Sequence, residues 1–189
     1  MRIYTKAGDD GSTGLFLGSR VPKSDVLVDA YGDVDEAVSV LGVARSLSTD
    51  ERLAGILLER QRELFVAAAD LATNPAHRDR LRPGVSQVTE EMVEGVEALI
   101  DTLVAERPLR PVFIVPGATP SSAAVDHART VVRRAERHVV QAHEAGHEIS
   151  PLVLRYLNRL SDLLFVLARV LARDSGHGEV VWNHERRRA

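Results

Sequence analysis

Residues 119–146 read TPSSAAVDHARTVVRRAERHVVQAHEAG, and the fold turns on this stretch. Thr119 can cap a helix, and Pro120 suits the first helical position, where its missing N–H is not needed. Ala124, Ala128, Val131, Ala135, Val139 and Ala142 recur at spacings of three and four, which makes one apolar stripe. At about 100° per residue, Asp126, Arg129, Arg133, Glu136 and Arg137 fall together on the opposite face. That face has two readings. One is a solvated surface laced with ion pairs. The other is an anion site, because Arg stays charged and its planar fork suits phosphate oxygens. Three Arg four apart also repel one another, and Asp126 and Glu136 offset that only in part.

Four more helices flank it. The first is expected over about Ser24 to Ser48, capped by Ser24 or Asp25, with Ala30, Val34, Ala37 or Val38, and Leu41 inward. Asp29, Asp33, Asp35 and Glu36 make it acidic, either for solubility and the helix dipole or so that Asp35 can meet an Arg elsewhere. The second runs from about Asp50 to Thr73; Ser48-x-x-Glu51 reads as a capping box and Asn74-Pro75 as the stop. Residues 75–88 are a surface loop. The third runs from Thr89 to Glu106, with Met92, Val96, Leu99 and Leu103 inward. Residues 108–118, PLRPVFIVPGA, are an extended connector. Val112 to Val115 could be a short strand, but with no second strand evident it reads as a loop tucked on the bundle, and Phe113 as core filling or as an aromatic offered to a ligand. The last helix runs from Ser150 to Arg173, with Leu157, Leu160, Leu164, Leu167 and Leu171 inward. Asn158 in so apolar a helix demands a hydrogen-bond partner. Short connections between five helices imply an antiparallel all-α bundle.

The N-terminal segment is of another kind. Tyr4 to Gly14 reads YTKAGDDGSTG, with Gly8, Gly11 and Gly14 at spacings of three. Gly lets backbone N–H groups converge on an anion without Cβ obstruction. Thr5, Ser12 and Thr13 add hydroxyls; Lys6 and Lys23 add charge. The alternative is a flexible N-terminal turn. It is neither a Walker A loop nor a dinucleotide fingerprint.

Composition narrows the classes. The chain has 189 residues, 44% hydrophobic and 27% charged, so one domain with a real core is expected: 1–23 a loop, 24–173 the bundle, 174–189 a tail with a basic end and little order. A net charge of −3 and only 4% aromatic residues argue against nucleic acid and anionic membrane as partners. No Cys means no disulfide, thiolate metal site or Cys nucleophile. The N-terminus lacks the apolar core of a signal peptide and no apolar run could span a bilayer, so a cytoplasmic location is expected. His143-Glu144-Ala145-Gly146-His147 matches the H-E-x-x-H zinc pattern. Gly146, however, suits a helix C-cap, which would leave the two His straddling a helix end.

Four stretches together resemble the PduO-type ATP:cob(I)alamin adenosyltransferases. They are Tyr4 to Gly11 with Arg20-Val21-Pro22-Lys23, then AYGDVDE at 30–36, HARTVVRRAER at 127–137, and YLNRLSD at 156–162. The resemblance spans nearly the whole chain. It implies a ferritin-like five-helix bundle, a homotrimer with one site at each subunit interface, and transfer of the 5′-deoxyadenosyl group of ATP to cob(I)alamin with release of triphosphate. By matching position, Thr5, Lys6, Ala7, Gly8, Thr13, Gly14 and Lys23 would hold ATP, together with Arg133, Arg134, Glu136, Arg137 and Asn158. Catalysis would rest on Arg133, on Phe113 beside the corrin, and on Asp35 paired with Arg129 across the interface. Mg²⁺ would accompany ATP, with no protein ligand to it assigned. A flavin reductase and an adenosylcobalamin-dependent mutase would be partners. The chain departs from the family at Ala37-Val38, where Leu-Asn is usual, at Ala118, where Gly is, and at Asp126, where an apolar residue is. Two other functions compete: an ATP sensor without chemistry, and a zinc hydrolase using His143, Glu144 and His147.

Overall fold

The computed structural model describes residues 4–174 and 178–182. Five long helices make the frame: α1 (Val26–Ser46), α2 (Glu51–Leu71), α3 (Glu90–Glu106), α4 (Pro120–Glu144) and α5 (Pro151–Asp174). A 3-10 turn over Pro75–Arg80 lies in the α2–α3 connection. Helix α4 sits between α1 and α5, α2 packs on α1, and α3 packs on α5. The inward residues form one continuous core that includes Leu41, Leu57, Leu64, Val131, Leu157, Leu160 and Leu167, all essentially inaccessible. Ala37 and Val38 belong to that core, so apolar packing is what this chain does where the family has Leu-Asn.

The helix starts follow local chemistry. Thr119 Oγ1 accepts from the Ser122 N–H and Ser122 Oγ accepts from the Thr119 N–H, both at 3.0 Å, a reciprocal cap of the kind worth about 1 kcal/mol. Asp25, not Ser24, caps α1, accepting from the Leu27 N–H at 2.8 Å. The expected Ser48–Glu51 capping box does not form. Asp50 stands next to the first helical residue, and its carboxylate takes the Leu53 N–H at 2.9 Å.

Two small sheets depart from the all-helical expectation. Strands β1 (Ser12–Gly14) and β2 (Arg20–Pro22) pair antiparallel, with Thr13 opposite Val21. The N-terminal segment is therefore a fastened hairpin. Leu15 is buried with Leu27 and Ala142, and Phe16 exchanges backbone bonds with the end of α2, from its N–H to Ala72 O at 2.8 Å and from the Asn74 N–H to its carbonyl at 2.9 Å. The 112–115 stretch, expected to be a loop, contains strand β3 (Ile114–Val115), which finds its partner in β4 (Val180–Val181). Part of the tail expected to lack order is thus paired; the basic end lies outside the described residues. Among the described residues no helix is long and apolar enough to cross a membrane.

Candidate active site

Helix α4 sends its arginine side chains to different places. Arg133, Glu136, Arg137, Val140 and Gln141 line one wall of an open cleft of about 480 Å³, and Asn158 of α5 lines the other. Asn158 has the partner its setting demands: its Nδ2 donates to Glu136 Oε1 at 2.9 Å, while its Oδ1 accepts from Arg159 Nη1 at 2.7 Å. Arg159 is held in turn by Glu97 of α3 at 2.7 Å. Three helices therefore fix the polar floor of the cleft. Arg137 donates to the Arg133 carbonyl at 3.0 Å. Among the described residues, neither Arg133 nor Arg137 is paired with a carboxylate, so the cleft presents two guanidinium groups to an incoming anion.

Arg134 is elsewhere. It points to α1, where its Nε meets Asp33 at 3.0 Å and its Nη2 bonds Glu36; Asp33 also faces His138 Nδ1 at 2.9 Å. The Asp33 hydrogen bond, with the charges of Asp33 and Glu36 behind it, raises the Arg134 pKa above its ordinary value. Asp126 also leaves the arginine face expected of it. It is buried, bonded to Arg169 of α5, because a helix packed on two sides has no single inward direction. Asp35 stays exposed on α1, and the buried Nε of Arg129 finds no hydrogen-bond partner among the described residues.

The Gly-rich hairpin forms a second cluster. Lys6 adopts φ +62°, and turns link the Asp9 N–H to Lys6 O at 3.3 Å and the Gly11 N–H to Gly8 O at 3.2 Å. Gly8 has to be Gly. A Cβ there would stand 3.0 Å from the Ser12 carbonyl and 3.2 Å from Lys23 Nζ. Arg20, which pattern reasoning did not single out, pins the loop. Its Nε donates to Ser12 Oγ at 2.9 Å, and its Nη2 donates to the carbonyls of Ala7 and of Ser12, the latter at 3.2 Å. Asp10, exposed, accepts from Ser12, whose hydroxyl and N–H hold its carboxyl below the usual range. Asp10 therefore stays a charged carboxylate, with the Arg20 guanidinium 3.8 Å away to offset it. None of Thr5, Lys6, Ala7, Gly8, Thr13, Gly14 or Lys23 lines the Arg133 cleft.

A third feature is apolar. Phe113, Ile114, Val115, Pro116 and Trp182 line a shallow cavity of about 500 Å³. Phe113 is 80% exposed and Trp182 52%, in edge-to-face contact with centroids 6.3 Å apart. Phe113 is therefore not core filling. The H-E-x-x-H residues make no site. Gly146 at φ +94° ends the helix, His147 turns back to Asp25 at 2.9 Å, and His143 stays exposed. Among the described residues, no three His, Cys, Asp or Glu converge as metal ligands.

A family model described as cobalamin adenosyltransferase matches residues 3–171. A corrinoid adenosyltransferase of Mycobacterium tuberculosis (strain ATCC 25618 / H37Rv) is 43% identical over 189 residues, which is 96% of this chain and 92% of that protein. One from Bacillus subtilis (strain 168) is 44% identical over 184 residues, covering 95% and 91%. Among solved structures, a Phe-to-His variant of a PduO-type ATP:corrinoid adenosyltransferase from Lactobacillus reuteri, complexed with cobalamin and ATP, superposes with a TM-score of 0.87. It is 34% identical, covering 97% of each chain. An Arg-to-Lys variant of the same enzyme, complexed with ATP, gives 0.85 at 35% identity, covering 96% of this chain and 100% of that one.

Proposed function

The chain belongs to the cobalamin adenosyltransferase family, and from that premise we propose how its residues divide the work. It is an ATP:cob(I)alamin adenosyltransferase, carrying out ATP-dependent adenosylation of cobalamin. In the reaction, cobalt(I) attacks C5′ of ATP, a carbon–cobalt bond forms, the C5′–O bond breaks, and triphosphate departs with that electron pair. Cobalt(I) is itself the nucleophile, so no Ser, Cys or His base is required. The protein has two tasks: to align cobalt with C5′, and to stabilise charge gathering on the leaving group.

Arg133 and Arg137 take the second task, as guanidinium groups in an open cleft that no carboxylate pairs among the described residues. Glu136, locked by Asn158, is an acceptor suited to the sugar hydroxyls of ATP. The hairpin with Lys6, Gly8, Thr13 and Lys23 supplies backbone N–H groups and ammonium charge to the polyphosphate. Mg²⁺ fits this site as a companion of the nucleotide. Mg²⁺ is commonly held by phosphates and water with few protein carboxylates, and no preformed carboxylate cage stands among the described residues. Phe113 forms an apolar wall for the lower face of the corrin.

One observation carries the assembly. Apart from Arg134, which faces α1, the residues matched to ATP fall into two sets, the hairpin and the Arg133 cleft, and none of the hairpin residues lines that cleft. Two half-sites in one chain become whole sites when copies associate in a ring, and we infer the homotrimer the family resemblance implies. Exposed Asp35 and the Arg129 Nε, which has no hydrogen-bond partner among the described residues, then find each other across the interface. Mixing two inactive variants tests this. Arg133→Ala and Lys6→Ala subunits, unfolded and refolded together in equal amounts, should regain about a quarter of wild-type activity, the fraction of interfaces that receive both intact halves. Refolding each alone should regain none. No recovery in the mixture would place the whole site within one subunit. The reaction belongs in the cytoplasm, between a flavin reductase that supplies cob(I)alamin and a mutase that consumes the product.

A further inference from the structure

The described residues contain one deeply buried cluster of charge that the transfer reaction does not use. Asp126 of α4, Arg169 of α5 and Glu179, just before β4, have side chains 6%, 5% and 3% exposed. Arg169 Nη2 bonds Asp126 Oδ2, and Arg169 Nε lies 3.5 Å from Glu179 Oε1. Arg173, one helical turn on, donates from its Nε to Glu179 Oε2 at 3.4 Å. Arg169 also lies over the Phe165 ring, 5.5 Å from its centroid. Burial pushes the Asp126 carboxyl above its usual range, against the downward pull of Arg169 and Arg129. Ions kept so dry contribute little net stability, and their best-attested use is to fix a geometry.

The geometry here is that of the C-terminal strand. Glu179 is followed at once by Val180 and Val181, which pair with Val115 and Ile114. The Trp182 N–H then donates to the Phe113 carbonyl at 2.8 Å, and its indole meets the Phe113 ring. A strand pairing of two residues is marginal by itself. We propose that Asp126, Arg169 and Glu179 form a buried ionic latch that seats β4 on β3 and so holds Trp182 against Phe113 in the apolar wall. The three are positioning residues; none of them touches substrate. The consequence for corrin binding rests on the reading of Phe113 given above.

Trp182 is the single tryptophan of the chain, so its fluorescence reads the strand directly. Glu179→Gln keeps the volume and removes the charge. In the full-length protein without substrates, it is expected to move Trp182 emission to the red and to raise acrylamide quenching, with the helical circular dichroism unchanged. In assays with chemically reduced cob(I)alamin, it is expected to raise the KM for cob(I)alamin about tenfold and to leave the KM for ATP within about twofold, the split expected of a group acting on one substrate's site. Asp126→Asn should shift both readouts the same way, and less, because Glu179 keeps its contacts with Arg169 and Arg173. In a Trp182→Ala background, Glu179→Gln should no longer change the KM for cob(I)alamin. Unaltered Trp182 emission and quenching in Glu179→Gln would overturn the latch. If Trp182 loosens while the KM for cob(I)alamin stays fixed, Phe113→Ala separates the two failures. A raised KM there overturns only the link from latch to wall, and an unchanged KM overturns the corrin reading of the patch.

Discussion

Arg133→Ala is expected to lower kcat for adenosyl transfer by about 10²- to 10³-fold, the effect of removing one preorganised donor aimed at developing charge. The side chain stands in an open cleft, is not paired with a carboxylate among the described residues, and lies one turn from Arg137. Triphosphate gathers negative charge as the C5′–O bond breaks, so an Arg aimed at it binds the transition state more tightly than bound ATP, and the loss appears in kcat more than in KM. Arg133→Lys should fall between, since Lys supplies the charge without the planar fork. Arg137→Ala should cost less, because part of that guanidinium is engaged by the Arg133 carbonyl. Steady-state kinetics with saturating MgATP and chemically reduced cob(I)alamin check all three. A wild-type kcat in Arg133→Ala would remove the cleft from the chemistry.

The second large effect is expected at Phe113 and depends on how cobalt is supplied. Phe113→Ala should lower activity about ten- to a hundredfold when the enzyme receives cob(II)alamin and a reductase. With cob(I)alamin reduced beforehand, the loss should be no more than severalfold. Cobalt(II) keeps an axial ligand that makes it hard to reduce, whereas cobalt(I) has already shed it. Phe113 is exposed, and a ring placed at the lower face, as proposed, would favour the ligand-free form. Burying a Phe side chain is worth about 1.5–3 kcal/mol, which sets the scale of that preference. Equal losses under both supplies would assign Phe113 to simple substrate packing.

The five helices were legible because each carries a stripe at helical spacing and punctuation by Pro, Gly or a capping side chain. What escaped is what distant residues decide. Strand β3 reads as a loop until Val180 and Val181 arrive from the far end of the chain to pair with it. Asp126 was assigned to the arginine face by projection about a single helix axis. Helix α4 is packed by α1 on one side and α5 on another, so a direction away from α1 is buried against Arg169. Arg134, matched to ATP by the resemblance alone, turns to the acids of α1, which its place in the motif did not show. In the candidate site, Arg133, Glu136 and Arg137 share a wall because they are three and four residues apart on one helix. The need of Asn158 for a partner could be read from its apolar neighbours, but not that the partner is Glu136. Arg20 carried no pattern of its own. Its role exists only once the hairpin has folded around it.

The most direct test is anaerobic: the protein, MgATP and chemically reduced cob(I)alamin, followed by visible spectroscopy with analysis of the phosphate product. Conversion to a light-sensitive alkylcobalamin with stoichiometric triphosphate is the expected result. ATP binding without change in the corrinoid spectrum would contradict transferase activity and leave a nucleotide-binding bundle. Release of pyrophosphate or orthophosphate in place of triphosphate would contradict attack at C5′.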